Sequence, residues 1–166
     1  MSAPVSRRMA RTYVFLVGLL ALSGTMQMPI ASRYRIVAIP GLAWLGDFWL
    51  THRLHYLGAV GLLTLTSYLC TRWVLEWRRE FVLTPLGRLR AGVVLLLMLT
   101  GAVRVLKNLP DISFDPEPTM WVDWAHLGLA ALLGLVALAR LALRARYARE
   151  LQAAAPPQPE RFSPLS

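Results

Sequence analysis

Four apolar runs divide the chain, and the stretches between them gather proline, glycine or charge. The first runs from Thr12 to about Ile30 and the second from about Leu54 to Thr71. The third runs from about Ala91 to Leu109 and the fourth from about Trp121 to Leu143. A helix rises about 1.5 Å per residue, so a hydrocarbon core of about 30 Å takes roughly 20 residues. Each run is long enough, or nearly so, to cross as one helix. Inside a bilayer no water meets the backbone N–H and C=O groups, and a helix satisfies them internally. The pattern predicts an all-α, integral membrane four-helix bundle over residues 12–149. A cytoplasmic tail at 1–11 precedes it, and a disordered tail at 150–166 follows, where "QAAAPPQPERFSPLS" is rich in proline.

Composition narrows the class. Of the 166 residues 56% are hydrophobic and only 16% charged, against about a quarter charged in a soluble domain. One bundle uses the whole length and leaves no room for a second globular domain. The net charge of +9 does not make a nucleic-acid binder, because the basic residues fall between apolar runs and form no aromatic-laced basic face. Cys70 stands alone, so the chain forms no internal disulfide and no CxxCH covalent haem attachment. It reads as a small packing residue.

The basic residues orient the spans. Arg7, Arg8 and Arg11 precede the first. Arg72, Arg78, Arg79, Arg88 and Arg90 lie at or between the facing ends of the second and third. Arg140, Arg144, Arg146 and Arg149 close the fourth. Positive charge stays on the cytoplasmic side, so both termini are expected inside a bacterial inner membrane that the chain crosses in several passes. A rival reading takes Arg7 to Ser23 as a secretory signal. The apolar run continues through Met26, Met28 and Ile30, which favours a retained span.

The first outer connection is unusually apolar. Pro40-Gly41 marks a turn. Leu42 to Leu50 reads as a helical piece carrying Trp44, Phe48 and Trp49. It either anchors at headgroup level, extends the second span outward, or covers a site at the outer face.

All three histidines fall at this outer side. His52 and His55 open the second span and His126 opens the fourth. His55 precedes Arg72 by 17 residues, and His126 precedes Arg140 and Arg144 by 14 and 18, so the two lie at similar depths. Two imidazoles from facing helices of a bundle can clamp a haem iron. Small residues leave space for a flat ring. Gly58 and Ala59 follow His55, Ala130 and Ala137 share a face with His126, Gly128 and Gly134 lie nearby, and Gly24 and Gly101 sit in "LSG" and "LTG". Small residues also pack membrane helices closely for their own sake. Arg104 and Lys107, one turn apart, suit anionic propionates. An arginine at mid-bilayer costs roughly 2.5–3.5 kcal/mol, so Arg104 calls for a partner. A zinc site needs more ligands; Asp47 and Asp123 are the candidates, and Asp123 reads more simply as a helix-start residue.

"LTGAVRVLKNLP" followed by "WVDWAHLGLAALLGL" resembles the second half of four-helix membrane cytochromes b. That group includes formate dehydrogenase gamma subunits, nickel–iron hydrogenase b subunits and bacterial b561-type proteins. "LALSG" with "LHYLGAVGLL" resembles a diverged copy in the first half, over residues 12–143 in all. The resemblance implies haem b, quinone chemistry, and electron exchange with an extrinsic redox subunit or periplasmic cytochrome. Two-haem members carry a second histidine 14 positions after the first in span four, with its partner in span one. Here that position is Arg140 and span one has no histidine. One haem near the outer face is expected, with His55 and His126 as axial ligands. His52 stays open as the span-two ligand, and Met28 as an alternative axial ligand. Gln27 and Asp47 are candidate quinone contacts, and the acidic Asp111–Asp123 loop is a candidate docking surface. The chain is expected to be an electron-transfer subunit rather than a catalyst by itself. The rivals are a haem-free membrane anchor or assembly subunit and an ion or metal carrier. The carrier is disfavoured because polar residues inside the spans are few, Thr64, Thr66, Ser67 and Thr100 among them.

Overall fold

A computed structural model of the chain describes residues 5–28, 33 and 38–150. It contains four long helices: α1 (Arg7–Met26), α2 (Phe48–Leu75), α3 (Pro85–Leu106) and α4 (Pro116–Ala142). All four are long and apolar enough to cross a membrane. Their starts follow local chemistry. Ser6 caps α1 by accepting from Met9 N at 3.3 Å, and Asp47 caps α2 by accepting from Leu50 N at 3.0 Å. Thr84 caps α3, and prolines open α3 and α4, where the missing N–H costs no helical bond.

The spans begin earlier than the apolar pattern suggests. Helix α1 starts at Arg7, inside the expected tail, and the expected end at Ile30 lies outside the described residues. Helices α2, α3 and α4 start at Phe48, Pro85 and Pro116, because caps rather than hydropathy set the first turn. The outer segment divides. Ala43–Gly46 form a 3-10 turn that buries Leu45, and Phe48 to Leu50 extend α2. Trp44, Phe48 and Trp49 stay exposed.

Helices α1 and α2 pack as one hairpin, α3 and α4 as a second. Val93, Val94 and Leu133 form the core of the second hairpin, and Val17 of α1 packs against it. Much of the remaining apolar surface faces outward: Val14, Phe15, Leu57, Val60, Leu95, Leu135 and Leu138 are all exposed. A continuous apolar shell of this kind suits an apolar surround.

One element departs from the all-α expectation. β1 (Phe81–Leu83) follows a 3-10 turn (Trp77–Arg79) after α2, and it pairs antiparallel with β2 (Ala148–Glu150). Val82 faces Arg149 in the register. The pairing places the end of α4 beside the start of α3 and draws Glu150 out of the expected tail. Residues 151–166 lie outside the described residues. Three-residue strands carry too little alternation to be read from sequence.

The basic end is latched by three devices. Thr84 Oγ1 donates to Arg146 O at 2.8 Å, and Thr84 N donates to Tyr147 O at 3.0 Å. Helix α4 closes with a Schellman turn: Ala145 N donates to Arg140 O at 3.1 Å and Arg144 N to Leu141 O at 3.3 Å. A column of alternating cations and rings then joins α1, α3 and α4. The Arg90 guanidinium lies 4.2 Å from the Tyr13 ring centre and 4.4 Å from that of Tyr147, and Arg140 lies 5.2 Å from Tyr147.

Gly87 makes the latch possible, since a Cβ there would overlap the Tyr147 carbonyl. Gly87→Ala is expected to lower thermal stability in detergent by about 1–3 kcal/mol. Gly92→Ala, on the same helix but in open space, is expected to be neutral or stabilising. Arg144 occupies the left-handed position of the turn with φ 48. Arg144→Gly is expected to stabilise the fold by about 1 kcal/mol in the same measurement.

Candidate functional site

At the end of the bundle opposite the sheet, each hairpin seats one histidine in the same way. In the first hairpin Ser23 lies near the end of α1 and is 2% exposed. Its Oγ donates to Leu19 O at 2.7 Å, the usual back-bond of a hydroxyl inside a helix. The same oxygen lies 3.0 Å from His55 Nδ1 of α2. Gly24, the next residue, leaves room for the ring, since a Cβ there would stand 3.2 Å from His55 Cε1.

The second hairpin repeats the arrangement. Thr100 Oγ1 lies 2.9 Å from Leu96 O and 2.8 Å from His126 Nδ1 of α4. Gly101 clears that ring, a Cβ there standing 3.5 Å from His126 Cε1. In both the "LSG" and "LTG" motifs the hydroxyl holds the imidazole and the glycine that follows lies against the ring edge. Their glycines were legible in the sequence as small residues. The hydroxyl before each one was legible as part of the repeat in the two halves, but its role as the partner of the histidine was not. Arg104 stands one turn beyond Thr100 on α3, and Asp123 one turn before His126 on α4. Neither Nε2 has a hydrogen-bond partner among the described residues.

His52 is held differently. Its Nδ1 lies 3.2 Å from Gln27 Oε1, and Gln27 Nε2 donates to Ser23 O at 3.1 Å. The ring stacks on Phe48 at 5.4 Å and meets Tyr56 edge-on at 4.4 Å. Tyr56 Oη accepts from Asn108 Nδ2 at 3.3 Å, which ties α2 to the chain just past α3. Gln27 and Asp47, candidate quinone contacts in the sequence, are thus engaged within the protein: Gln27 with His52, Asp47 as the cap of α2.

Other expected site residues fall into two groups. Gly101 stands at a histidine. Gly58 does not; it is buried where a Cβ would stand 3.2 Å from Leu20, so it lets α1 and α2 approach. Ala130 is exposed, and the stripe of α4 packed on α3 contains Leu129 and Leu133 instead. Met28 lies just past α1 and Cys70 is exposed rather than packed inside.

Arg104 and Lys107 meet a single carboxylate. Lys107 Nζ donates to Asp123 Oδ2 at 2.8 Å, and Arg104 Nε lies 2.7 Å from Oδ1 without hydrogen-bond alignment. Asp123 is therefore not a helix-start residue. Asp115 holds the cap position of α4, and Asp123 lies about two turns inside as the counter-ion of α3. Two cations facing one anion leave positive charge over beside the histidines.

Comparison with protein-family models, with curated proteins and with solved structures finds no match. Among the described residues no group of three or more His, Cys, Asp or Glu side chains is placed to hold a metal ion by itself. Any metal at the histidines would need ligands from elsewhere, such as a macrocycle.

With side chains more than a third exposed, the Arg104–Asp123 pair contributes little on its own. Asp123→Asn breaks this pair and the Lys107 pair together and is expected to cost up to about 2 kcal/mol in thermal unfolding, and less at high salt.

Proposed function

We propose that the chain is a membrane b-type cytochrome subunit that passes single electrons through one haem b held by His55 and His126. The observation that carries this reading is the duplicated seat. Each hairpin anchors one imidazole by Nδ1, at the same end of the bundle, with Nε2 unpartnered among the described residues. Two neutral imidazoles from two hairpins suit the two axial positions of a haem iron. Bound there, haem would supply a one-electron iron couple with no open coordination position.

This chain's own residues would do the rest. His55 and His126 would hold the iron. Arg104 and Lys107, sharing only Asp123, have positive charge to offer the propionates. Gly24 and Gly101 keep the ring edges unobstructed. At the other end, the Tyr13, Arg90, Tyr147 and Arg140 column fills the level where two-haem cytochromes of the resembling family carry their second pair of histidines. That supports a single haem.

The basic residues gather at the sheet end, so we place that end and both termini in the cytoplasm of a bacterium. The histidines then lie near the periplasmic face of the inner membrane. Electrons would pass between a quinone pool or membrane partner and a periplasmic cytochrome or extrinsic redox subunit. The exposed acidic residues Asp111, Asp115 and Glu117 are the docking surface for that partner.

A second reading, a haem-free membrane anchor or assembly subunit, is favoured by one fact. The hydroxyl–imidazole bonds already pin each hairpin, which a structural histidine would also do. A reduced-minus-oxidised visible spectrum with a pyridine haemochrome assay decides between the two. The expected result is a b-type band at one haem per chain, lost in His55→Ala and His126→Ala and kept in His52→Ala. No band in the purified wild-type protein would reject the cytochrome reading.

A further inference from the structure

We infer that Ser23 and Thr100 are positioning residues that fix His55 and His126 in one tautomer, protonated on Nδ1, before any ligand binds. The identity of the eventual ligand rests on the function proposed above; the tautomer itself does not. A hydroxyl has one proton to give. Ser23 Oγ lies 2.7 Å from Leu19 O and 3.4 Å from Leu20 O. Thr100 Oγ1 lies 2.9 Å from Leu96 O and 3.1 Å from Leu97 O. Carbonyl oxygens only accept, and two oxygens this close repel unless a proton lies between them. The hydroxyl proton therefore points at the helix backbone, and only lone pairs remain to face the imidazole.

The proton in the second contact must then come from the ring. Nδ1–H donates to Ser23 Oγ across 3.0 Å in one hairpin and to Thr100 Oγ1 across 2.8 Å in the other. A neutral imidazole carries a single N–H, so each Nε2 presents a bare lone pair. In an apolar surround few other groups can compete for these positions. The arrangement occurs twice, on helices unrelated by adjacency, with the same motif order of hydroxyl then glycine. His52 provides an internal comparison. Its partner Gln27 is oriented through the backbone oxygen of Ser23, not its hydroxyl, so a change at the hydroxyl leaves it in place.

The test uses the full chain in detergent micelles, without haem, labelled with 15N-histidine. Long-range proton–nitrogen correlations report which ring nitrogen is protonated. Wild type is expected to show Nδ1–H at His55 and His126. Ser23→Ala is expected to release His55 to a mixture of tautomers while His126 and His52 keep theirs, which also shows that the variant has folded. Thr100→Val is expected to do the reverse. Ser23→Thr and Thr100→Ser are expected to restore the wild-type pattern. An Nε2–H ring at His55 or His126 in wild type, or no change in the Ala and Val variants, overturns the inference. A wild-type protein that shows the expected tautomers but takes up no haem upholds this inference and rejects the cytochrome. In a haem-loaded protein, loss of either hydroxyl is expected to raise the midpoint potential, since the Nδ1–H bond makes the ligand more basic and favours oxidised iron.

Discussion

An imidazole inside a bilayer-sized helix bundle needs a hydrogen-bond partner, because little water is present to supply one. The contact between a helix hydroxyl and Nδ1 meets that need at Ser23–His55 and again at Thr100–His126. Much of the chain's organisation follows from it. Each hydroxyl must sit near the end of an outgoing helix, and each histidine near the start of the returning one. A glycine follows each hydroxyl: a Cβ at Gly24 would crowd the His55 ring, while one at Gly101 would make ordinary contact with His126. Every hairpin in the chain obeys the same rule.

Two such hairpins in one direction make a parallel repeat, with both histidines delivered to the same end of the bundle. The opposite end is built on different physics. There, stacked guanidinium and tyrosine groups, a short sheet and the Thr84 latch close the bundle. The two ends divide the labour: one is cross-linked by charge, rings and backbone bonds, while the other holds groups capable of ligation.

Charge at the histidine end is shared rather than cancelled. Arg104 and Lys107 converge on Asp123 and bring α3 and α4 together. The surplus cation leaves net positive charge at this end of the bundle.

The number and order of the long apolar helices follow from sequence alone, since a run of about 20 apolar residues has one stable form in a bilayer. The basic residues of the sequence mark the helix ends that meet at the sheet, since charge avoids an apolar surround. The similar depths of His55 and His126 were legible as well, because depth along a helix is counted in residues. What faces what was not. The partner of Asp123, the role of Gly58 and the hydroxyl seats depend on the rotation of each helix about its axis, and that rotation is decided by side-chain packing between segments far apart in sequence. The small sheet likewise needed the end of α4 to arrive beside β1 before either strand had a partner.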